Sequence, residues 1–196
     1  KTGTIKLDGK QVSNKNAQDS IKNGFALLTE ERRATGIFGI LNIRENTVIS
    51  SLKRHKKGFY LSEKSMTEDT QKYIDALRTK TPSQETKIRA LSGGNQQKVV
   101  IGKGLLTKPK ILLLDEPSRG IDIGAKTEVF EIIHDLAEKG LSIIVISSEL
   151  KEIMAIADRI VVLSNGKKTG ELTGDEITED TLVRTSYAGL GTGRNA

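Results

Sequence analysis

One short segment constrains the fold more than any other: the four consecutive apolar residues 111–114, which run directly into Asp115 and Glu116. An apolar run of this length is typical of a strand buried on both faces of a parallel sheet. In such sheets ligands bind at the carboxyl ends of the strands. The segment therefore predicts an α/β fold that presents two carboxylates at a ligand-binding edge. The alternative is a strand that ends in a solvated acidic turn.

The chain from residue 95 onward alternates between helical and strand-like patterns. In order, the sequence predicts a helix at 95–106, a strand at 111–114, a helix ending at Lys139, a strand at 142–146, a helix at 149–157 and a strand at 160–163. This alternation is typical of βαβ units around a parallel sheet. Beyond the last of these strands, Asn165 and Gly166 form a two-residue hairpin signal, and the Gly-rich stretch 188–196 is expected to be a flexible tail.

The first half of the chain predicts two strands followed by a helical region. Residues 3–7 and 25–28 have strand patterns, and Asp8 with Gly9 signals a hairpin or a strand end. Between about 35 and 91 the pattern is helical, which predicts a helical subdomain. Within it, Asn42 is a candidate cap for a helix at 43–52, and Ser65 is a candidate cap for the following helix.

Composition excludes several classes of protein. The longest apolar runs have strand length, far below the roughly 20 residues of a transmembrane helix. The absence of cysteine excludes disulfides and thiolate metal sites. The formal charge of +6 is spread along the chain, so nucleic acid is not an expected partner. The densest basic run, residues 53–57, is either a solvated loop or a contact for acidic headgroups or a partner.

A second candidate site lies at the predicted start of the helix near residue 95. Ser92, Gly93 and Gly94 precede this helix, where free backbone N–H groups and the helix dipole attract anions. The serine adds a hydroxyl donor, and glycine permits close approach of an oxyanion. A simple Gly-containing helix cap is the alternative.

Three strings in fixed order carry a resemblance to a known family: LSGGNQQKVVIGKGL, DEPSRGIDIGAK and ISSEL. They resemble the signature, the Walker B strand with D-loop, and the switch region of ATP-binding cassettes. Their form is similar to the second, C-terminal cassette of bacterial importers for ribose, galactose or xylose. The resemblance covers about residues 3–186. It implies a P-loop NTPase-like α/β fold with flanking helices, the helical subdomain, and the signature-to-switch region within about 92–175.

The sequence departs from a complete cassette in its phosphate-binding loop. A Walker A loop needs Gly, any four residues, then Gly-Lys and Ser or Thr. None of the three Gly-Lys pairs, which begin at Gly9, Gly102 and Gly166, fits this pattern. We therefore expect residues 1–196 to be a partial nucleotide-binding domain, with the loop and its strands upstream of Lys1.

Two further positions also differ from a standard cassette. Glu30 stands where the Q-loop glutamine would be, and Ser148 stands where the switch histidine would be. A carboxylate near a phosphate is repelled unless a cation intervenes, and serine cannot take up a proton near neutral pH. Similar replacements occur in the second cassettes of sugar importers, as the resemblance implies.

The resemblance also implies the roles of individual residues. Glu116 would be catalytic, Asp115 would hold Mg²⁺ through water, and Asp122 belongs to the D-loop. The signature residues would cover ATP bound by a partner cassette in trans; they are Ser92, Gly93, Gly94 and Gln96. The cofactors are thus ATP and Mg²⁺ in the intact protein, and the present chain is expected neither to bind ATP nor to hydrolyse it.

The implied partners are those of a sugar importer. They are the first cassette of the same polypeptide, the transmembrane permease subunits and, indirectly, a periplasmic or lipid-anchored sugar-binding protein. The protein would lie peripherally at the cytoplasmic face of the membrane. Two alternatives stay open: a free-standing half-cassette that acts as a non-catalytic regulatory module, and the C-terminal half of an SMC-type ATPase.

Overall fold

The computed structural model describes residues 3–188 and divides into two compact units, Lys1–Ile146 and Ser147–Ala196. The flexible tail predicted at 188–196 lies, from residue 189 onward, outside the described residues. The strands are β1 Ile5–Leu7, β2 Lys10–Val12, β3 Phe25–Leu28, β4 Lys56–Lys57, β5 Tyr60–Leu61, β6 Ile111–Asp115, β7 Ser142–Ile146, β8 Arg159–Ser164 and β9 Lys167–Thr173. The α-helices are α1 Ala17–Lys22, α2 Ile43–Val48, α3 Glu63–Ala76, α4 Gly93–Leu105, α5 Ile123–Glu138, α6 Leu150–Ile156 and α7 Glu179–Tyr187.

A three-stranded parallel sheet organises the first unit. Its strand order is β3-β6-β7, with Phe25 opposite Ile111 and Ile111 opposite Ser142. Leu112 and Leu114 are 0% exposed, whereas Ile111 and Leu113 on the other face are partly buried, so the predicted burial on both faces is complete on one face only. Helix α4 lies close to this sheet at Gly104, where a Cβ would contact the side chains of Ala26, Leu28 and Leu112 at 3.5 to 3.7 Å. The predicted α/β fold with a parallel sheet is confirmed in this unit.

The helical region begins as predicted but contains two differences. Asn42 caps α2 through a full capping box with Glu45. The cap of α3 is Ser62 rather than the predicted Ser65, because the Ser62 hydroxyl accepts from the Ser65 backbone N–H. Ser65 lies one turn inside the helix and contacts His55 instead. The sequence prediction also missed the antiparallel pair β4–β5.

The second unit is built on a hairpin. β8 pairs antiparallel with β9 across Asn165 and Gly166, both with positive φ, as the two-residue signal predicted. The strand predicted at 160–163 is confirmed as part of β8, but the parallel pairing expected of a βαβ unit is not observed, because within residues 3–188 β8 pairs with β9 alone. The burial of β8 is one-sided. Ile160 and Val162 are 8% exposed, whereas Leu163 is 70% exposed, which is the pattern of a sheet covered on a single face.

None of the helices in the described part of the chain is long and apolar enough to cross a bilayer.

A buried lysine ties three elements of the first unit together. The Lys98 side chain is 2% exposed, and its Nζ donates to Glu128 Oε2 at 2.6 Å and to the Arg78 carbonyl at 3.1 Å. Lys80 Nζ lies 3.5 Å from the other oxygen of Glu128. These bonds connect α4, α5 and the turn after α3. Because a buried ammonium must be paired, Glu128 is important for the stability of this junction.

The Lys98 junction predicts an acid-sensitive contribution to stability. The hydrogen bond and charge of Lys98 lower the pKa of Glu128, so the unfolded chain binds the proton more tightly. The stabilisation is therefore present above the unfolded-state pKa of about 4.3 and is lost as pH falls through the folded-state pKa. Glu128 is 43% exposed, so we expect Glu128→Gln to lower the free energy of unfolding by only about 1–2 kcal/mol at neutral pH. The difference should shrink as pH falls below about 4.3 and through the folded-state pKa of Glu128, measured by urea denaturation over a series of acidic pH values.

Glu131→Gln is the matched control for this experiment. Glu131 lies on the same helix, is 59% exposed and is 3.9 Å from Arg78. We expect its loss to change the free energy of unfolding by less than about 0.5 kcal/mol at neutral or acidic pH. Equal effects of the two variants would contradict the role assigned to Glu128.

Candidate functional site

The two predicted carboxylates lie at the end of β6. Asp115 is the last residue of the strand, and Glu116 follows with a φ of 46°, a left-handed conformation unusual for a side chain other than glycine. The Glu116 N–H donates to the carbonyl of Ile146 at 2.8 Å, and its own carbonyl accepts from the Arg119 N–H at 3.1 Å. This tight turn brings the chain back sharply, so that residues 119–121 lie beside the start of α4.

The start of α4 keeps its donors directed outward. Ser92 is the exposed N-cap residue, and its Oγ accepts a hydrogen bond from Asn95 Nδ2 at 2.9 Å. Because an amide nitrogen only donates, the Ser92 O–H still has its own proton to donate. The first backbone N–H groups of a helix have no partners within that helix. Ser92 and Gly93 thus lie at a helix start with hydrogen-bond donors, and the anion binding expected there stays a prediction.

The two glycines of this segment also satisfy a packing requirement. A Cβ on Gly93 would lie 2.9 Å from the Gly120 carbonyl oxygen, and a Cβ on Gly94 would lie 2.4 Å from the Cβ of Ala125. Both distances are shorter than a side chain tolerates. The start of α4 therefore packs closely against residues 118–122, here called the D-loop segment, and against the start of α5.

An ion pair joins the Q-loop position to the D-loop segment. The guanidinium of Arg119 contacts the carboxylate of Glu30, and both side chains are about half exposed. The sequence analysis noted that the Glu30 carboxylate would repel a nearby phosphate unless a cation intervenes. Arg119 supplies a cation that offsets this charge.

Arg32 connects the same loops from the inside. It is 7% exposed at the start of a short π-helical turn, Arg32–Gly36. Its Nε donates to Gln96 Oε1 at 3.3 Å, and its Nη1 donates to Gln97 Oε1 at 3.2 Å and to the Arg119 carbonyl at 3.5 Å. Burial, and secondarily the charge of Arg33, lower the pKa of Arg32, but a guanidinium stays charged in proteins. One buried cation thus links the hinge after Glu30 to the signature helix and to the D-loop.

Gln96 faces inward in this structure. It is 3% exposed, and its Nε2 donates to the carbonyls of Leu91 at 3.0 Å and Ile88 at 3.3 Å. These bonds and the one from Arg32 hold the turn before α4 in place. The nucleotide contact implied for Gln96 stays a prediction.

The two remaining site residues lie at helix starts. Asp122 caps α5, where its Oδ1 accepts from the Ala125 N–H at 2.9 Å. Ser148 lies in the second unit, exposed, in the short segment before α6. The neighbouring Ser147 Oγ accepts from the Glu149 N–H at 3.1 Å and lies 3.2 Å from Glu152 Oε2.

The structure thus brings Glu30, the signature start and the D-loop segment together in the first unit. The sequence analysis missed Arg32 and Arg119. Arg119 lies inside the motif that suggested the D-loop and was readable as a charge three residues after Glu116. Arg32 gave no such signal, because two adjacent arginines are typical of a solvated charge cluster. Only the structure shows that Arg32 is buried and Arg33 is exposed.

Asp115 and Glu116 have the hard oxygen donors that Mg²⁺ requires. Among residues 3–188 no group of three or more His, Asp or Glu side chains is placed to hold a metal ion. A magnesium ion at this edge therefore fits only with one or two carboxylates and with phosphate oxygens and water as its further ligands. The sequence contains no Walker A loop to bring such phosphates.

Comparison with known proteins gives consistent matches. The family model described as "ABC transporter" matches residues 1–119. The chain is 51% identical over 187 residues to the galactose/methyl galactoside import ATP-binding protein of Fusobacterium nucleatum, covering 95% of this chain and 37% of that protein. It is 52% identical over 183 residues to the protein of the same description from Escherichia coli K12, covering 93% and 36%. The chain thus spans little more than a third of the length of these relatives.

Solved structures show the same fold. The crystal structure of the ADP conformation of an ATP-binding cassette of an ABC transporter matches with a TM-score of 0.79 and 23% identity, covering 97% of this chain and 77% of that one. A dimeric cassette in a post-hydrolysis state bound to ADP and Pi matches with a TM-score of 0.71 and 18% identity, covering 88% and 73%. The predicted α/β cassette fold is confirmed.

The close approach of α4 and α5 predicts opposite effects for two matched substitutions. Gly94 and Gly124 are each the second residue of a helix. Gly94→Ala would force its Cβ against Ala125, so we expect a loss of about 1–3 kcal/mol in the free energy of unfolding. The nearest atom to a Cβ at Gly124 is Asp122 Oδ1 at 3.5 Å, so Gly124→Ala should be neutral or stabilising by up to about 1 kcal/mol. Urea denaturation measures both, and a Gly94→Ala variant as stable as the parent would contradict the contact.

Proposed function

The chain belongs to the ABC transporter family, and from this membership we propose that it is part of the ATPase subunit of a bacterial monosaccharide importer. The exposed start of α4 carries the proposal, because a serine hydroxyl and the first N–H groups of a helix together suit a phosphate that is held by another cassette. The importer assignment is supported by about half-identity with galactose/methyl galactoside import proteins. A galactoside or a related monosaccharide is the proposed cargo.

In this proposal the chain is most of a second cassette whose partner is the first cassette of a longer polypeptide. Its share of the relatives' length, 37% and 36%, supports a longer protein. ATP held by the first cassette would receive hydrogen bonds from the Ser92 hydroxyl and from the backbone N–H groups of Gly93 and Gly94. These donors act in trans on the γ-phosphate, and this chain alone does not bind ATP.

The chain's own edge would serve the second nucleotide site of the longer protein. Asp115 would hold Mg²⁺ through water, and Glu116 would orient and deprotonate the attacking water. Ser148 cannot accept a proton as a switch histidine does. We therefore propose that this second site is the weaker one and that the chain serves chiefly as a lid for its neighbour's hydrolysis.

The link between nucleotide and transport would run through Glu30 and Arg32. We place a helical subdomain at about 35–91, the region that would receive a coupling helix of the permease, and the signature-to-switch region at about 92–175. Arg32 contacts Gln96, Gln97 and the Arg119 carbonyl, and Arg119 contacts Glu30. A shift of the signature helix upon closure would move the hinge after Glu30 through these contacts. The protein would act at the cytoplasmic face of the membrane, with a sugar-binding protein on the other side.

The trans role of the signature predicts a specific loss of activity. In the intact transporter we expect Ser92→Ala to lower the ATPase rate by about tenfold to 100-fold, since one donor to the developing charge is removed. Ser83→Ala, at an exposed serine outside the site, should leave the rate unchanged. An unchanged rate for Ser92→Ala would contradict the proposal. Urea denaturation of both variants separates this loss from misfolding.

The lack of a phosphate-binding loop predicts no stabilisation by nucleotide. A ligand at 100 times its Kd adds about 2.7 kcal/mol, or roughly 5–10 °C in Tm for a chain of this size. We expect no shift of the melting temperature of the 196-residue chain with excess Mg²⁺-ATP. A clear shift would mean that the chain has a complete phosphate site of its own, as the free-standing regulatory module would require.

A further inference from the structure

The hairpin β4–β5 exposes an aromatic tip that packs against nothing in the described chain. It comprises residues 56–61, here called the basic aromatic hairpin, with Gly58 at φ 61° in its two-residue turn. Phe59 is 107% exposed, Tyr60 66% and Leu61 42%. Single exposed apolar residues are common on proteins, but three in succession at a protruding tip mark an interaction surface.

Lysines flank this tip on both faces of the hairpin. Lys57 is directly opposite Tyr60, and Lys56 is directly opposite Leu61. Directly opposed residues share a face of the ribbon, so each face carries one ammonium beside one apolar side chain. Lys53 is also exposed just before the hairpin.

The nearby carboxylates do not neutralise these lysines. Asp69 pairs with Arg54 at 3.5 Å, and Glu63 pairs with Arg44 at 3.7 Å. Within residues 3–188 no ion pair involves Lys53, Lys56 or Lys57. The hairpin therefore presents uncompensated positive charge together with its aromatic tip.

The base of the hairpin is held firmly. The Ser62 N–H donates to the His55 carbonyl at 2.8 Å, and His55 Nδ1 lies 3.0 Å from Ser65 Oγ. The His55 side chain is 0% exposed. Arg54 Nη1 donates to the Leu106 carbonyl at 2.7 Å. The base of the hairpin is thus ordered before any partner arrives, which reduces the entropy cost of binding.

We propose that the basic aromatic hairpin binds the surface of an anionic lipid bilayer, with Phe59 and Tyr60 among the headgroups and Lys56 and Lys57 beside lipid phosphates. Aromatic rings favour the membrane–water interface, and lysines near it are attracted to anionic lipid. An anionic bilayer is favoured as the partner because these lysines, unpaired within residues 3–188, lie directly beside exposed aromatic and apolar side chains, which match lipid phosphates and the membrane interface together. The contact goes beyond the proposed ATPase function and does not depend on it.

Co-sedimentation with lipid vesicles tests the proposal on the 196-residue chain. We expect binding to phosphatidylcholine vesicles that contain about 30% phosphatidylglycerol and little binding to phosphatidylcholine alone. Lys56→Gln with Lys57→Gln should weaken binding about tenfold or more, and Phe59→Ser with Tyr60→Ser by a similar factor. Lys6→Gln with Lys10→Gln is the control of equal charge, in the hairpin β1–β2 that lacks an aromatic tip.

A fluorescence measurement locates the contact. The chain has no tryptophan, so Phe59→Trp introduces a single reporter, and its emission should shift to shorter wavelength with anionic vesicles. Tyr187→Trp, at a site 64% exposed in the second unit, should not shift. Raising the salt from about 0.1 M to about 1 M, which shortens the Debye length from about 10 Å to about 3 Å, should release the chain.

Several results would overturn the proposal. They are absence of binding to anionic vesicles, equal binding to neutral vesicles, equal weakening by the Lys6 and Lys10 control, and unchanged binding after loss of Phe59 and Tyr60. Binding to single-stranded RNA in place of vesicles would assign the hairpin to nucleic acid. Because all the substituted side chains are exposed, an unchanged melting temperature confirms that each variant is folded.

Discussion

The candidate site depends on one close approach, between the first turns of α4 and α5. A Cβ at Gly94 would lie 2.4 Å from the Cβ of Ala125, so only glycine lets the two helix starts meet. This contact fixes α4 against the turn that follows Glu116. It therefore decides where Ser92 and Gly93 lie relative to the D-loop segment, and the contacts of Arg32 with Gln96, Gln97 and the Arg119 carbonyl lie at the same junction.

Arg32 converts this packing into a connection between loops. A buried guanidinium must be hydrogen-bonded, so loss of its contacts with Gln96, Gln97 and the Arg119 carbonyl would lower the free energy of unfolding. The exposed pair of Glu30 and Arg119 adds a second link, which is weaker in water because solvent and salt screen it. The inner link joins the loops through a buried cation, and the outer one offsets the negative charge of Glu30.

The features predicted correctly from the sequence are those that depend on neighbouring residues along the chain. The apolar run of β6, the Asn42 cap and the turn at Asn165 depend on few neighbours, and all three were predicted correctly. The cap of α3 was predicted wrongly, because Ser62 and Ser65 are the same residue type and the sequence does not distinguish them. In the structure the Ser65 hydroxyl contacts His55, and Ser62 caps the helix. The strand β8 and its hairpin were predicted, but the expected parallel βαβ pairing of β8 was not observed within residues 3–188, because the order of elements along a chain does not decide which strands pair. Arg32 was missed because burial cannot be read from two adjacent arginines.

The signature segment shows why a motif need not act as a single unit. Its outer part, Ser92 and Gly93, is at least partly exposed, and the Ser92 hydroxyl keeps a proton that it can donate. Its inner part, Gly94 and Gln96, is buried against α5 and beneath the preceding turn. Packing requires glycine at both positions, against the Gly120 carbonyl oxygen at Gly93 and against Ala125 at Gly94, whereas Ser92 is exposed. A loss of activity at Gly94 would therefore report helix packing, whereas a loss at Ser92 would test the proposed phosphate contact.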